Sequence, residues 1–351
     1  MREFELTDVV TINGFADRLR WLGLSPEVCE GFARRRAESM TRLETLRQRL
    51  ESISGIGDIE RLCVYVAGSH ARGDASIHSD IDIWFLQDDV VSGDSQNAVN
   101  LKTINLMAAV IKHLAEMDAP EPSNDGEYLR ILSLHEILEH LGGPQDDYKN
   151  HFTARMLLIL ESYPVYGASI YENALSEIIG SYMRDYEDHA EDFRPIFLVN
   201  DIIRYWKTLC LNYEHRRNQI GEAGKIKQKV RNFKLGYSRL LTCFAAVAVL
   251  SEMNHVTKEE LIATCQKTPV ERLLSLAERR HSTKDAVATA LTSYHWFLKK
   301  TEMSNPDLHE YFSVRENRVI AFQHAKKFGD QIFDIVKLAS EEAGTFRYLV
   351  V

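Results

Sequence analysis

The sequence predicts an α+β protein with a small mixed-sheet core, an N-terminal helical arm and a mostly helical C-terminal domain. Three observations lead there. An apolar, β-branched run, Val64-Tyr65-Val66-Ala67, breaks at Gly68-Ser69, and a second extended run, Asp80-Ile81-Asp82-Ile83-Trp84-Phe85, follows. That is the pattern of two strands joined by a tight turn and a short helix. Residues 1–60, and nearly everything beyond Gly142-Gly143-Pro144, instead carry apolar residues at helical spacing. With 351 residues, 45% of them apolar and 26% charged, the chain can bury one large or two ordinary cores.

In order, residues 1–60 form the arm. Ser25-Pro26-Glu27 is an N-cap with proline in the first turn, and Val28, Phe32, Met40, Leu43, Leu46 and Leu50 mark its apolar side. Arg34-Arg35-Arg36 reads as a solvated helix face, or as a contact for nucleic acid or a partner. Residues 61–143 are the core domain. Its two strands lead into a polar loop, an amphipathic helix over 96–117 with Leu101, Ile104, Met107, Ala108, Ile111 and Leu114 on the buried face, and a strand from Tyr128 to Leu134. Ser133-x-x-Glu136 reads as a capping box opening the next helix.

Residues 144–344 are the helical domain, with an apolar helix over Thr153 to Ser162 and a solvated acidic run from Asp185 to Asp192. Asp201, Arg204, Thr208, Asn212 and His215 make a polar stripe facing either water or a cleft. Lys225 to Arg239 is the one densely basic segment, Leu240 to Leu250 is a core helix, and Tyr294-His295-Trp296-Phe297 is core packing. The tail, residues 345–351, is apolar and strand-forming, so it is expected to dock as an edge strand or in a cleft.

Composition narrows the function. A net charge of −9 argues against broad binding to duplex DNA or an anionic membrane, while leaving room for a local cationic pocket. No apolar run approaches the ~18 residues of a membrane span, and Met1-Arg2-Glu3-Phe4-Glu5 carries no apolar signal core. Five scattered cysteines with no Cys-x-x-Cys pair read as buried thiols in a reducing, cytoplasmic setting.

The chemistry concentrates at residues 64–85. Side chains alternate along a strand, so Asp80 and Asp82 share one side, about 7 Å apart over two steps. Such a pair either lies solvated or holds a divalent cation; hard oxygen ligands suit Mg²⁺ or Mn²⁺ rather than zinc. Gly68 permits close backbone approach, and Ser69 offers an amide and a hydroxyl to phosphates at a helix start. Arg72 either pairs with a phosphate or braces the aspartates.

Gly68-Ser69-His70-Ala71-Arg72-Gly73 with Ser79-Asp80-Ile81-Asp82 resembles the signature of the DNA-polymerase-β-like nucleotidyltransferase superfamily in its minimal bacterial form. The match covers roughly residues 61–87. The resemblance implies a palm-like core in which Asp80 and Asp82 are catalytic metal ligands and Gly68, Ser69, Arg72 and Ser79 bind nucleotide. It implies further that the helical domain faces the cleft and supplies Lys207, Lys234, Ser238 and Arg239 to a triphosphate. A third carboxylate is common in that superfamily; here the strand Leu129-Arg130-Ile131-Leu132-Ser133 holds no acid, so Glu127, Glu136 or none fills the role.

No duplex-reading or template domain is recognisable, so the expected reaction is template-independent transfer of a nucleotide from an NTP or dNTP to a hydroxyl. Within the superfamily the chain is similar to the nucleotidyltransferases of Hailong-type antiphage defence operons. That similarity implies a DNA oligomer primed on a C-terminal tyrosine, here Tyr348, and an operon-encoded membrane effector answering to the product. Two alternatives stand beside it: a toxin–antitoxin type enzyme modifying a protein, a tRNA end or a small molecule, and a binding module without turnover.

Overall fold

The structure, a computed structural model, describes residues 12–89, 101–117, 130–217 and 222–350. Four strands form its sheet: β1 (Leu62–Ala67), β2 (Asp82–Gln87), β3 (Ile131–Ser133) and β4 (Ser162–Tyr166), in the order β3-β2-β1-β4. β2 and β4 run antiparallel to β1 and β3 runs parallel to β2, so the sheet is mixed as expected, within an α+β fold dominated by helices.

β1 is buried along its whole length because both faces are covered. Cys63, Tyr65 and Ala67 join Trp84 and Leu86 in the large core shared with the helical half. Leu62, Val64 and Val66 join Ile81, Ile83 and Phe85 beneath Leu43, Leu46 and Leu50 of the arm helix Pro26–Glu51. The two-residue period of the strands sorts side chains to these two cores, and the directly paired Tyr65 and Trp84 stack at 6.4 Å.

Several expectations are corrected. β2 begins at Asp82, so Asp80 stands just before the strand instead of inside it. β4 lies beyond Gly142-Gly143-Pro144, and the sheet therefore extends across the expected domain boundary. The helix expected over Thr153 to Ser162 is His151–Leu160, and Ser162 opens an edge strand holding Pro164, where a missing N–H is tolerated. In the helix Leu101–Ala115 the buried side is Leu106, Val110 and Leu114; Leu101, Ile104 and Ile111 are exposed. That sequence carries two interleaved apolar stripes, and the sheet takes the one four residues apart. Residues 96–100 and the start of the Tyr128–Leu134 strand lie outside the described residues.

The arginine triplet is not a solvated face. Only Arg34 is exposed, pairing with Glu302. Arg35 is buried and donates to the carbonyls of Asp74 and Leu298, and Arg36 pairs with Glu271 at 2.8 Å. Asp201, expected on an open stripe, is likewise buried, accepting from Tyr182 Oη at 2.8 Å and lying 3.4 Å from Arg155. Thr208 is half-buried, and Asn212 and His215 are exposed.

The helices Glu222–Lys234 and Leu240–Glu252 are joined without a break by a π-helical turn, Leu235–Arg239. By length and composition the resulting Gly224–Glu252 run could cross a membrane, but 67% of its most apolar window is buried in the fold. The five cysteines are thiols, and burial pushes Cys63 and Cys243 up to about 12. The tail forms a short helix, Arg347–Val350, and not an edge strand. It does dock: Thr345 is buried and donates to Ser251 O at 2.6 Å, and Leu349 packs on the core.

Candidate functional site

β1 delivers the chain to its end at Ala67, which pairs with Asp82 at the start of β2. The next residue, Gly68, therefore lies beside the Asp82 carboxylate. Its backbone has φ +80° and ψ −147°, a region that other residues avoid, and a Cβ there would sit 3.0 Å from Asp82 Oδ2. Glycine is required twice over, by conformation and by space. Ser69 starts the short helix Ser69–Arg72, and Gly73, at φ +72°, ends it. The chain then returns through a turn in which Ser79 Oγ accepts from the Ser76 amide at 3.0 Å, bringing Asp80 and Asp82 back beside Gly68.

A cavity of about 300 Å³ opens at this point, between the sheet and the helical half. Gly68, Ser69, Arg72, Ser79, Asp80 and Asp82 line one wall, and Lys234, Ser238 and Arg239 line the other. Residues more than 150 positions apart in sequence thus share one space. The π-helical turn supplies Ser238 and Arg239, and such turns recur at functional sites.

Arg72 braces the site, although not through Asp80 or Asp82. Its Nε and Nη2 each donate to Asp74 at 3.1 Å, and its Nη1 donates to Glu161 Oε2 at 2.5 Å. Asp74 also accepts from Tyr294 Oη at 2.6 Å, while Glu161 accepts from Arg239 and, at 3.3 Å, from Thr242. Burial is the largest influence and works against the Arg72 charge, but Asp74 and Tyr294 oppose it, and the guanidinium ends above its usual range. Arg239 moves down, first from burial and then from Arg72, with Asp82 and Asp80 opposing. Lys234, although exposed at the cavity wall, also moves down through partial desolvation, and Asp80 partly reverses that shift. His70 is buried on the inner side of the turn, and burial lowers its imidazole to about 4.

Not every expected residue reaches the cavity. Lys207 is exposed on the helix Ile196–Arg217 and does not line it. Glu136 points elsewhere, 3.1 Å from Lys149 and 3.4 Å from His151, while Ser133 caps its helix. Glu127 lies outside the described residues. Asp74 is the further acid on the cavity wall, and it is committed to Arg72 and Tyr294. Tyr348 is half-buried in the terminal helix, its hydroxyl accepting from Arg347. Ser251, which anchors that tail, lies twelve residues beyond Arg239 on one helix, about 18 Å along its axis.

Sequence reasoning missed Glu161, Arg35 and Tyr294. Asp74 had a local signal, since it directly follows Arg72-Gly73; Glu161 had none, because both its arginine partners come from distant elements. In comparisons with known proteins, the chain matches no protein-family model and no curated protein.

Proposed function

We propose that this cavity carries out metal-dependent, template-independent nucleotidyl transfer from a nucleoside or deoxynucleoside triphosphate to a hydroxyl. The reading rests on one observation: the Gly68-Ser69 turn, Asp80, Asp82 and the cationic Lys234 and Arg239 line a single cavity. The donors nearest the turn are carboxylate and hydroxyl oxygens, which fits Mg²⁺ or Mn²⁺. Asp80 and Asp82 are the residues to hold the cation. When bound, it neutralises phosphate oxygens and the charge that develops on leaving pyrophosphate.

The other roles belong to the chain itself. Gly68 lets a phosphate approach the backbone, and Ser69 donates its amide and hydroxyl to it. Lys234 and Ser238 bind the phosphate tail from the helical side. Arg72, Glu161 and Asp74 keep the turn and the π-helical turn in register, so both walls meet the same ligand. The acceptor hydroxyl loses its proton to solvent, and its oxygen forms a bond to the α-phosphorus as the bond to pyrophosphate breaks.

The similarity to Hailong-type enzymes makes Tyr348 the first acceptor to test and antiphage defence, through a product-sensing membrane effector, the first role. A second reading, binding without turnover, is favoured by the engagement of Asp74, which leaves two acids for the metal. Incubation with each labelled NTP and dNTP plus Mg²⁺ or Mn²⁺ separates the two. Metal-dependent product that disappears in Asp80→Ala/Asp82→Ala supports transfer. Nucleotide binding with no product supports the binding module, and product undiminished in the double variant rejects the assignment.

A further inference from the structure

The face of the Gly224–Glu252 helix turned away from Lys234 carries a second, larger cavity. Lys225, Lys229, Asn232 and Gly236 recur at helical spacing along its wall, with Trp206 and Tyr213 from one neighbouring helix and Phe322 from another. Its volume is about 690 Å³, within the range of small-molecule sites. An adjoining groove of about 520 Å³ shares Lys229 and Phe322 and adds Arg315, Arg318 and Lys326.

Gln228 supplies the decisive detail. It lines the larger cavity and is only 4% exposed, and its Nε2 and Oε1, closed off from solvent in the empty cavity, have no hydrogen-bond partner among the described residues. An unpartnered buried polar group costs roughly 1–3 kcal/mol, so turning this amide into the adjoining cavity, toward a ligand offering the complementary donor and acceptor, relieves that cost. A nucleobase edge does so, adenine in particular, and the aromatic walls suit its ring faces. In a chain of net charge −9, Lys229, Arg315 and Lys326 have no carboxylate partner among the described residues. That local excess of positive charge fits phosphate.

We propose that this double cavity is a second nucleotide-binding site, with the base against Trp206 and Phe322, its edge on Gln228, and its phosphates on Lys229 and the Arg315–Lys326 groove. The nucleotide is either free or one unit of a short oligonucleotide. The site owes nothing to Asp80 or Asp82 and stands apart from the reading of the first cavity. Leu235, Gly236 and Leu240 also line it, so an occupant abuts the same π-helical turn that presents Ser238 and Arg239 to the first cavity.

The test is equilibrium binding of radiolabelled ATP to the full chain in EDTA, where metal-dependent binding is silenced. The expected result is saturable binding that is unchanged in Asp80→Ala/Asp82→Ala and about tenfold or more weaker in Gln228→Leu, the loss appropriate to one bidentate amide contact. Adenosine should bind more weakly than ATP, and UTP less than ATP. A (dA)₄ oligonucleotide that competes better than ATP identifies a strand unit as the ligand; one that competes worse identifies a free nucleotide. Gln228→Leu is expected to fold, since it removes an unpartnered amide, with circular dichroism as the check. Lys229→Glu, a surface charge reversal, gives an independent second loss. Absence of saturable binding of both ATP and (dA)₄, binding indifferent to Gln228→Leu and Lys229→Glu, or binding lost in the double aspartate variant would each overturn the proposal.

Discussion

Arg72 Nη1 donates to Glu161 Oε2 at 2.5 Å across 89 positions of sequence, and the other oxygen of the same carboxylate accepts from Arg239. One buried acid thereby ties the turn after β1 to the π-helical turn of the facing helix. Both arginines line the cavity, so the span between its walls depends on a residue that is not itself one of the cavity's lining groups.

Removing that acid leaves two cations facing each other. Breaking a buried pair by deleting one partner costs about 3–5 kcal/mol, and Glu161→Ala is expected to fall in that range by urea denaturation. Glu161→Gln should cost less, because the amide oxygen still accepts from one arginine. A loss below about 1 kcal/mol in Glu161→Ala would show that the walls are held by other contacts.

Gly68→Ala tests the closeness of Asp82. The backbone region costs a side chain about 1–3 kcal/mol, and the added methyl would press on Oδ2 at 3.0 Å. Stability should drop by that amount, and Mn²⁺ affinity, followed by electron paramagnetic resonance, should drop as well. A variant with wild-type Mn²⁺ affinity would mean the carboxylate is not used where it lies.

These two residues also show what sequence can disclose. Gly68 and Asp82 are linked by local rules: a strand, a tight turn and a returning strand bring them together whatever surrounds them. Glu161 has meaning only after β4 has joined the sheet and the helical half has closed, and Pro164 argues against reading a strand there. The arginine triplet fails for a related reason. Charge pattern places Arg35 outside, whereas the carbonyls of Asp74 and Leu298 give its guanidinium buried partners. The helix Leu101–Ala115 carries two apolar stripes, and only the packed sheet selects one.

Acid should weaken the fold through two histidines. Burial lowers His70 and His151 from 6.5 to about 4. Each stays neutral in the folded state while the unfolded chain takes up a proton, so their contribution is complete above 6.5 and is lost as pH falls toward 4. Between pH 7.5 and 5.0 the expected loss is about 2 kcal/mol per histidine. His70→Leu should abolish about half of the two-histidine slope in urea denaturation, and an unchanged slope would place His70 in a wetter setting.

Ligand should stabilise the chain by mass action. At a hundredfold excess over its dissociation constant, a nucleotide–Mg²⁺ pair adds about 2.7 kcal/mol. A matching rise in thermal midpoint is expected in the wild type, with none from Mg²⁺ itself in Asp80→Ala/Asp82→Ala. The double variant without ligand should still fold and melt close to wild type, because the repulsion relieved between the two acids offsets the lost attraction to Lys234 and Arg239. A midpoint far below wild type would mean that the two acids hold the fold instead of a cation.

Tyr348 lies beyond an anchor in which Thr345 donates to Ser251 O at 2.6 Å, at the end of the helix remote from Arg239. For Tyr348 to accept a nucleotide in its own cavity the tail must leave this position, or else the acceptor comes from a second copy. Thr345→Val removes the anchoring bond, costs about 1 kcal/mol, and is expected to raise the rate at which labelled nucleotide becomes attached to the protein. Tyr348→Phe should leave stability within about 0.5 kcal/mol, since its hydroxyl accepts from the exposed Arg347, and should abolish attachment. Mixing Tyr348→Phe with Asp80→Ala/Asp82→Ala distinguishes the two routes. Label on the aspartate double variant then requires transfer between copies, whereas its absence requires release of the tail within one chain. Attachment that survives Tyr348→Phe removes this residue as the acceptor and leaves the cavity to serve another hydroxyl.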